Sequence, residues 1–194
     1  MSSLESALVA INAKLTHLHV EFALVGGLAV SVRTEPRFTR DADIAVALLT
    51  DRDAEVLIHA LRSHGFLIAT VIEQEAVGRL ATVRLGFSSD PKSPVVDLLF
   101  ASSGIESEIV GEANELELLP GLTMRVARIG HLIAMKVLSR DDLRRPQDVL
   151  DLRNLIRASD ENELAKAREA LSLIARRGYH RGRDLPAEMD RLFS

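Results

Sequence analysis

A short apolar run, Phe22-Ala23-Leu24-Val25, stops at two glycines, Gly26-Gly27. Thirteen residues later two aspartates stand one apart, in Asp41-Ala42-Asp43-Ile44. A third acid, Asp97, interrupts the run Val95-Val96-Asp97-Leu98-Leu99-Phe100. This pattern asks for a strand that ends in a glycine turn, a helix, and at least two further strands that carry carboxylates. In a strand, residues two apart share a face with Cα atoms about 6.5–7 Å apart. Asp41 and Asp43 therefore project together, opposite the face of Ile44, Val46 and Leu48.

If the strand of Asp97 lies beside theirs, three carboxylates converge. Two like charges about 5 Å apart repel by roughly 3 kcal/mol at an effective dielectric near 20, so such a cluster needs a cation. Magnesium fits, because it takes oxygen ligands, draws few of them from protein and completes its shell with phosphate and water. Two such ions could clamp the attacking and leaving oxygens of an in-line displacement. Two blander accounts stay open: Asp41 and Asp43 as the wet face of an edge strand, and Asp97 as half of a local ion pair. The glycines allow positive φ and a close ligand, and a helix start behind them offers N–H groups to phosphate. Many strand-to-helix turns hold glycines for steric reasons alone; the spacing to Asp41 gives this pair its weight.

Helical periodicity marks residues 4–18, and a second helix resumes at Leu28 to Val32. Ala42 to Leu48 reads as a strand and Asp51 to His64 as a helix, capped by the Thr50-Asp51 pair and stopped at Gly65. Phe66 to Ile72, Leu80 to Phe87 and Pro94 to Phe100 read as strands, with a turn at Ser88-Ser89-Asp90-Pro91. Helices are expected at about 127–140, 146–158, 160–177 and 185–193. The reading is thus α+β, a mixed sheet with flanking helices followed by a helical bundle. The boundary falls near Pro120-Gly121, giving units 1–121 and 122–194.

The two halves differ in charge: residues 1–121 hold 9 Lys/Arg against 17 Asp/Glu, residues 122–194 hold 15 against 11. An acidic half able to collect metal joins a basic half able to meet phosphate, although chance surface composition would look the same. The absence of cysteine excludes disulfides and thiolate metal sites. No apolar run reaches the ~18 residues of a membrane span, and the first residues lack the pattern of a signal peptide. A cytoplasmic protein without membrane attachment is expected.

These residues resemble the polymerase-beta-like nucleotidyltransferase superfamily. Its pattern is an apolar residue, Gly, then Gly or Ser, a gap, Asp-x-Asp/Glu between apolar residues, and a later acid in a separate apolar strand. Gly26-Gly27-Leu28-Ala29-Val30 and Thr39-Arg40-Asp41-Ala42-Asp43 look most like the AbiEii/AbiGii-type toxin nucleotidyltransferases. Leu132-Ile133-Ala134-Met135-Lys136 and Arg145-Pro146-Gln147-Asp148-Val149-Leu150-Asp151-Leu152 resemble that family's helical motifs. The resemblance spans about residues 20–157. It implies a nucleotidyltransferase fold in which Asp41, Asp43 and Asp97 form the catalytic and metal site for Mg2+ or Mn2+. Gly26 and Gly27 would cradle the triphosphate of an NTP donor, Lys136 would neutralise it, and Arg40 and Asp151 would join the nucleotide site. Where many relatives carry serine, this chain has Gly27, so backbone N–H groups must serve there.

Lys136 sits on a helix apolar nearly all round, so it either snorkels to a cleft edge or points at the triphosphate. Asp148 suits a helix start; Asp151, one turn deeper, stays open. Arg33, Arg37 and Arg40 are either solvated loop residues or phosphate contacts. The cluster Arg176-Arg177-Gly178-Tyr179-His180-Arg181-Gly182-Arg183 could meet RNA, with Tyr179 stacking a base, or could complement a helix dipole. The histidines show no metal-ligand spacing.

The resemblance implies transfer of a nucleoside monophosphate to an acceptor hydroxyl, by a toxin acting on transfer RNA and opposed by an antitoxin protein. A small-molecule acceptor of the aminoglycoside type and a non-catalytic nucleotide-binding module are the rival readings. The sequence leaves self-association open.

Overall fold

Phe22, Ala23, Leu24 and Val25 are all buried, and they form the strand around which the rest of the chain is arranged. A computed structural model describes residues 3–87, 93–141 and 146–192. In chain order the elements begin α1 (Ser3–His17), β1 (Phe22–Val25), α2 (Gly26–Arg33), β2 (Ala42–Val46), α3 (Asp51–Ser63), β3 (Leu67–Gln74), β4 (Arg79–Gly86) and β5 (Val95–Leu99). There follow α4 (Glu106–Gly111), β6 (Asn114–Leu119), β7 (Leu122–Val126), α5 (Ile129–Ser139), α6 (Pro146–Ala158), α7 (Glu161–Arg176) and α8 (Leu185–Asp190).

The strands form one seven-stranded sheet in the order β3-β4-β5-β2-β1-β7-β6. β1 pairs with β7, and β2 with β5, in parallel; the other neighbours are antiparallel. The α+β architecture expected from the sequence, a mixed sheet with flanking helices and a helical last third, is the one the chain adopts. Buried positions on both faces of β1, β2 and β5 require cover on both sides. That cover comes from helices on either side in sequence: α1 packs on β5, α4 on β1 and β2, and α2 on β1 and β2. β3 forms the outer edge and is half open to solvent, with Leu67, Val71 and Ile72 exposed.

Local chemistry sets several boundaries. Thr50 caps α3 by accepting from the Asp53 backbone N–H at 3.1 Å, and Asp160 caps α7 through Glu163 N–H at 2.8 Å. Glu163 in turn accepts from Gly130 N–H at 2.7 Å and so caps the start of α5 from a distant helix. α5, apolar nearly all round, is buried among α2, α6, α7 and α8.

Two features differ from the sequence reading. Pro120-Gly121 is the turn of the β6–β7 hairpin, and β7 joins the central sheet beside β1, so the sheet extends to Val126. The reading also passed over α4, whose six residues are too few to show a period. The turn read at 88–91, Arg145 and Phe193 lie outside the described residues.

Candidate nucleotidyl-transfer site

A cleft of about 520 Å³ opens where β1 gives way to α2. Its walls include Gly26, Gly27, Asp43, Arg84, Asp97 and Lys136. Val25, the residue before α2, supplies no side-chain cap, so the first N–H groups of that helix are left to the cleft. Gly26 has φ +65°, and a β-carbon built on it would lie 2.6 Å from Asp43 Cγ. Only glycine lets the turn run this close to the carboxylate.

Strand register gathers the acids. Asp43 pairs with Val25 across β2–β1 and with Asp97 across β2–β5, so both carboxylates stand beside the glycine turn. Asp41, half-buried, precedes β2 by one residue and does not line the cleft. Its charge nevertheless reaches the site: Arg84 feels Asp97, Asp41 and Asp43 together.

Arg84 is the residue the sequence reading missed. It lies opposite Asp97 in the antiparallel β4–β5 pair. Its Nε donates to Asp97 Oδ1 at 2.8 Å and its Nη2 to Oδ2 at 2.7 Å. The fork to Asp97, followed by the attraction of Asp97, Asp41 and Asp43, raises the arginine pKa above its ordinary value. The ion pair entertained for Asp97 from sequence is therefore present. The available signal was the alternation of β4, which turns Thr82 and Arg84 to one face, but sequence did not say which strand would lie next to β5.

Among the described residues, no three His, Cys, Asp or Glu side chains form a metal-ligating group. The donor set still suits a hard divalent cation: two carboxylates in register on adjacent strands, beside a backbone cradle that a Cβ would fill. In this structure both Asp97 oxygens are taken by a guanidinium.

Lys136 reaches the cleft wall, yet its Nζ is already engaged, donating to Asp148 Oδ1 at 2.6 Å and paired with Asp151 Oδ2 at 2.8 Å. Asp151 is fully buried and also accepts from Arg37 Nη2 at 2.8 Å and Gln147 Nε2 at 3.3 Å. Burial works to raise the Asp151 pKa, but Lys136, Arg37 and Gln147 together hold it below the ordinary carboxylate value. Asp151 does not line the cleft; it sits behind Lys136 and fixes it. Arg40 is likewise outside the lining, exposed, with its guanidinium 5.9 Å from the Phe38 ring centre.

Arg33 and Arg37 have structural partners. Arg33 donates to Val126 O at 2.8 Å and Ala127 O at 3.0 Å, tying α2 to the end of β7. Arg37 fills the space over Gly27, where an added β-carbon would meet its Nη2 at 2.6 Å. The basic cluster divides in the same way. Arg177 forks to Glu108, Arg183 binds Glu188 and Leu138 O, and Tyr179 is buried against Gly104 rather than offered for stacking. Arg181 alone of that cluster lines the cleft. Ser103, also in the lining, donates through N and Oγ to Glu106, a buried acid whose pKa is raised by its burial.

The family model described as nucleotidyl transferase AbiEii toxin, type IV TA system, matches residues 7–194. The chain belongs to this family. It is accordingly a nucleotidyltransferase of a toxin–antitoxin family, one whose reaction moves a nucleoside monophosphate from a triphosphate donor. No curated protein sequence matches it significantly. Solved structures share the fold. An antigenic nucleotidyltransferase-like protein from Paracoccidioides brasiliensis is 17% identical with TM-score 0.56, covering 98% of this chain and 93% of its own. The antibiotic-resistance factor ANT(2'')-Ia, in solution, is 14% identical with TM-score 0.57, covering 91% and 94%. The same factor in complex with adenylyl-2''-tobramycin gives 13% and 0.54, covering 89% and 98%. No helix among the described residues of this AbiEii-family chain is long and apolar enough to cross a membrane.

Proposed function

We propose that this AbiEii-family chain is a cytoplasmic toxin that transfers a nucleoside monophosphate from an NTP to a hydroxyl of RNA, transfer RNA by preference, and that a separate antitoxin protein opposes it. The observation that carries the reading is the register of Asp43 with Asp97 beside Gly26-Gly27 in one cleft. Asp43 and Asp97 would hold Mg2+, for which Mn2+ could substitute, with Asp41, one residue before β2 and outside the lining, as the third ligand that the resemblance implies. The ion would supply charge stabilisation for the phosphoryl oxygens. The open N–H groups at Gly26 and Gly27 receive phosphate oxygens, and Lys136, held by Asp148 and Asp151, presents a fixed positive charge at the wall. The acceptor oxygen attacks the α-phosphorus, the bond to the β-phosphate bridging oxygen breaks, and pyrophosphate leaves. Asp97 would accept the proton that the acceptor hydroxyl loses as the new O–P bond forms. Catalysis of this type rests on positioning and electrostatics.

The net positive charge of residues 122–194 and Arg181 at the cleft favour a polyanionic acceptor. One observation favours a cationic small molecule instead: Glu73 and Asp141 also line the cleft. The deciding experiment incubates the protein with Mg2+, each labelled NTP, bulk transfer RNA and an aminoglycoside. Label entering RNA, and absent with Asp43→Asn, is expected. Label on the aminoglycoside alone would replace the RNA reading. No label anywhere, with triphosphate still bound, would reduce the chain to a binding module.

A further inference from the structure

Across three neighbouring strands one row of the sheet reads Arg84, Asp97, Asp43: Arg84 opposite Asp97 in β4–β5, and Asp97 opposite Asp43 in β5–β2. Residues opposite each other on paired strands share a face, so the row is a cation followed by two anions at the cleft wall. Arg84 covers both oxygens of Asp97 with its fork. A divalent cation shared by Asp43 and Asp97 would need one of those oxygens and would set its charge against the guanidinium.

The burial of the pair is lopsided. The Arg84 side chain is 43% exposed, whereas that of Asp97 is 13% exposed. Arg84 can therefore turn away without opening a void, while Asp97 stays where its strand puts it. A guanidinium fork suited to a carboxylate is equally suited to a phosphate. The cleft beside Arg84 is where the glycine turn would hold the triphosphate.

We propose that Arg84 is an exchangeable counter-ion, an inference that rests on the metal reading above. In the metal-free protein it neutralises Asp97; when a divalent cation and a triphosphate arrive together, Arg84 yields Asp97 to the cation and takes up the phosphate. Metal alone must displace Arg84 and bind weakly, whereas metal with triphosphate gives the displaced arginine a new partner. The two ligands are thereby coupled, each strengthening the other by the same factor.

The test measures Mn2+ binding by the full chain through the EPR signal of free Mn2+, with and without inorganic triphosphate, for wild type, Arg84→Gln, Arg84→Lys and Asp43→Asn. Arg84→Gln is expected to bind Mn2+ alone roughly tenfold more tightly than wild type. At saturating Mn2+ it should bind inorganic triphosphate roughly tenfold more weakly, so the coupling collapses. Equal or weaker Mn2+ binding by Arg84→Gln, with an Asp43-dependent site intact in wild type, overturns the exchange and leaves the metal reading standing. Wild-type binding that Asp43→Asn does not reduce overturns the metal reading and the exchange with it. A second readout needs no loss of the pair. In wild type the Arg84 Nε–H resonance, assigned by its disappearance in Arg84→Lys, should shift when Mg2+ and inorganic triphosphate are added together. An unmoved resonance at saturation refutes the proposal.

Discussion

A β-carbon on Gly26 would lie 2.6 Å from Cγ and 2.8 Å from Cβ of Asp43, inside van der Waals contact with the whole carboxylate arm. The glycine turn and the acid are thus one unit. Gly26→Ala must displace Asp43 and must also place an alanine at φ +65°, which costs about 1–2 kcal/mol. The expected result is a loss of that order in urea melts together with a fall in transfer of about 100-fold or more, as for a misplaced reacting group. Wild-type transfer by this variant would separate the turn from the chemistry.

Gly27 is crowded by a different neighbour. An added Cβ would meet Arg37 Nη2 at 2.6 Å, and that same nitrogen holds Asp151 at 2.8 Å. A serine here would need the room Arg37 occupies. Gly27→Ser should therefore loosen the Arg37–Asp151 pair and cost about 1 kcal/mol, of the order of one hydrogen bond. The check is a double-mutant cycle: in an Arg37→Ala background the cost of Gly27→Ser should vanish. An unchanged cost would place the strain elsewhere.

Much of this arrangement was legible in the chain. The run Phe22–Val25 and the helix Pro146–Ala158 have the bounds the pattern asks for, because a fully apolar run and a proline start are local signals. The meeting of Asp43 with Asp97 could be anticipated only as a condition, since strand adjacency is a long-range fact. β6 and β7 escaped notice although Glu115 and Glu117 alternate with Leu116 and Leu118 as in a half-wet strand. They are short, and the turn between them resembled a boundary. The partners of Lys136 lie 12 and 15 positions away on the next helix, and the packing of α5 on α6, rather than any spacing, brings them within reach. Arg84 was hidden for the same reason: its chemistry comes from the strand beside it.

The buried pair network gives a pH signature. Asp151 has a folded pKa below its ordinary value. Its contribution is therefore complete above the unfolded pKa near ~3.9 and is lost as pH falls through the lower folded value. Asp151→Asn leaves Arg37 and half of the Lys136 pairing without a counter-charge, a loss expected at about 3 kcal/mol at neutral pH. In urea melts from pH 8 to pH 2.5, the gap between wild type and variant should stay level down to about pH 5 and narrow below about pH 4. A gap that widened in acid would reverse the sign and remove the ion-pair account of Asp151.

Tyr179 provides a contrast between packing and contact with an acceptor. Its ring lies against Gly104, where a β-carbon would come within 2.5 Å of Tyr179 Cε2, and burial raises its phenol pKa. Tyr179→Ala removes a large buried side chain and should cost about 3 kcal/mol in denaturant melts. The KM for RNA, measured on the protein that remains folded, should not change. Arg181, two residues on, is exposed and lines the cleft, and under the proposed RNA reading Arg181→Ala should give an RNA KM several-fold higher with a weaker dependence on salt, as for the loss of one phosphate contact. If Tyr179→Ala raised that KM at unchanged stability, the ring would have to leave the core to meet RNA. The tight seat on Gly104 argues against such a movement.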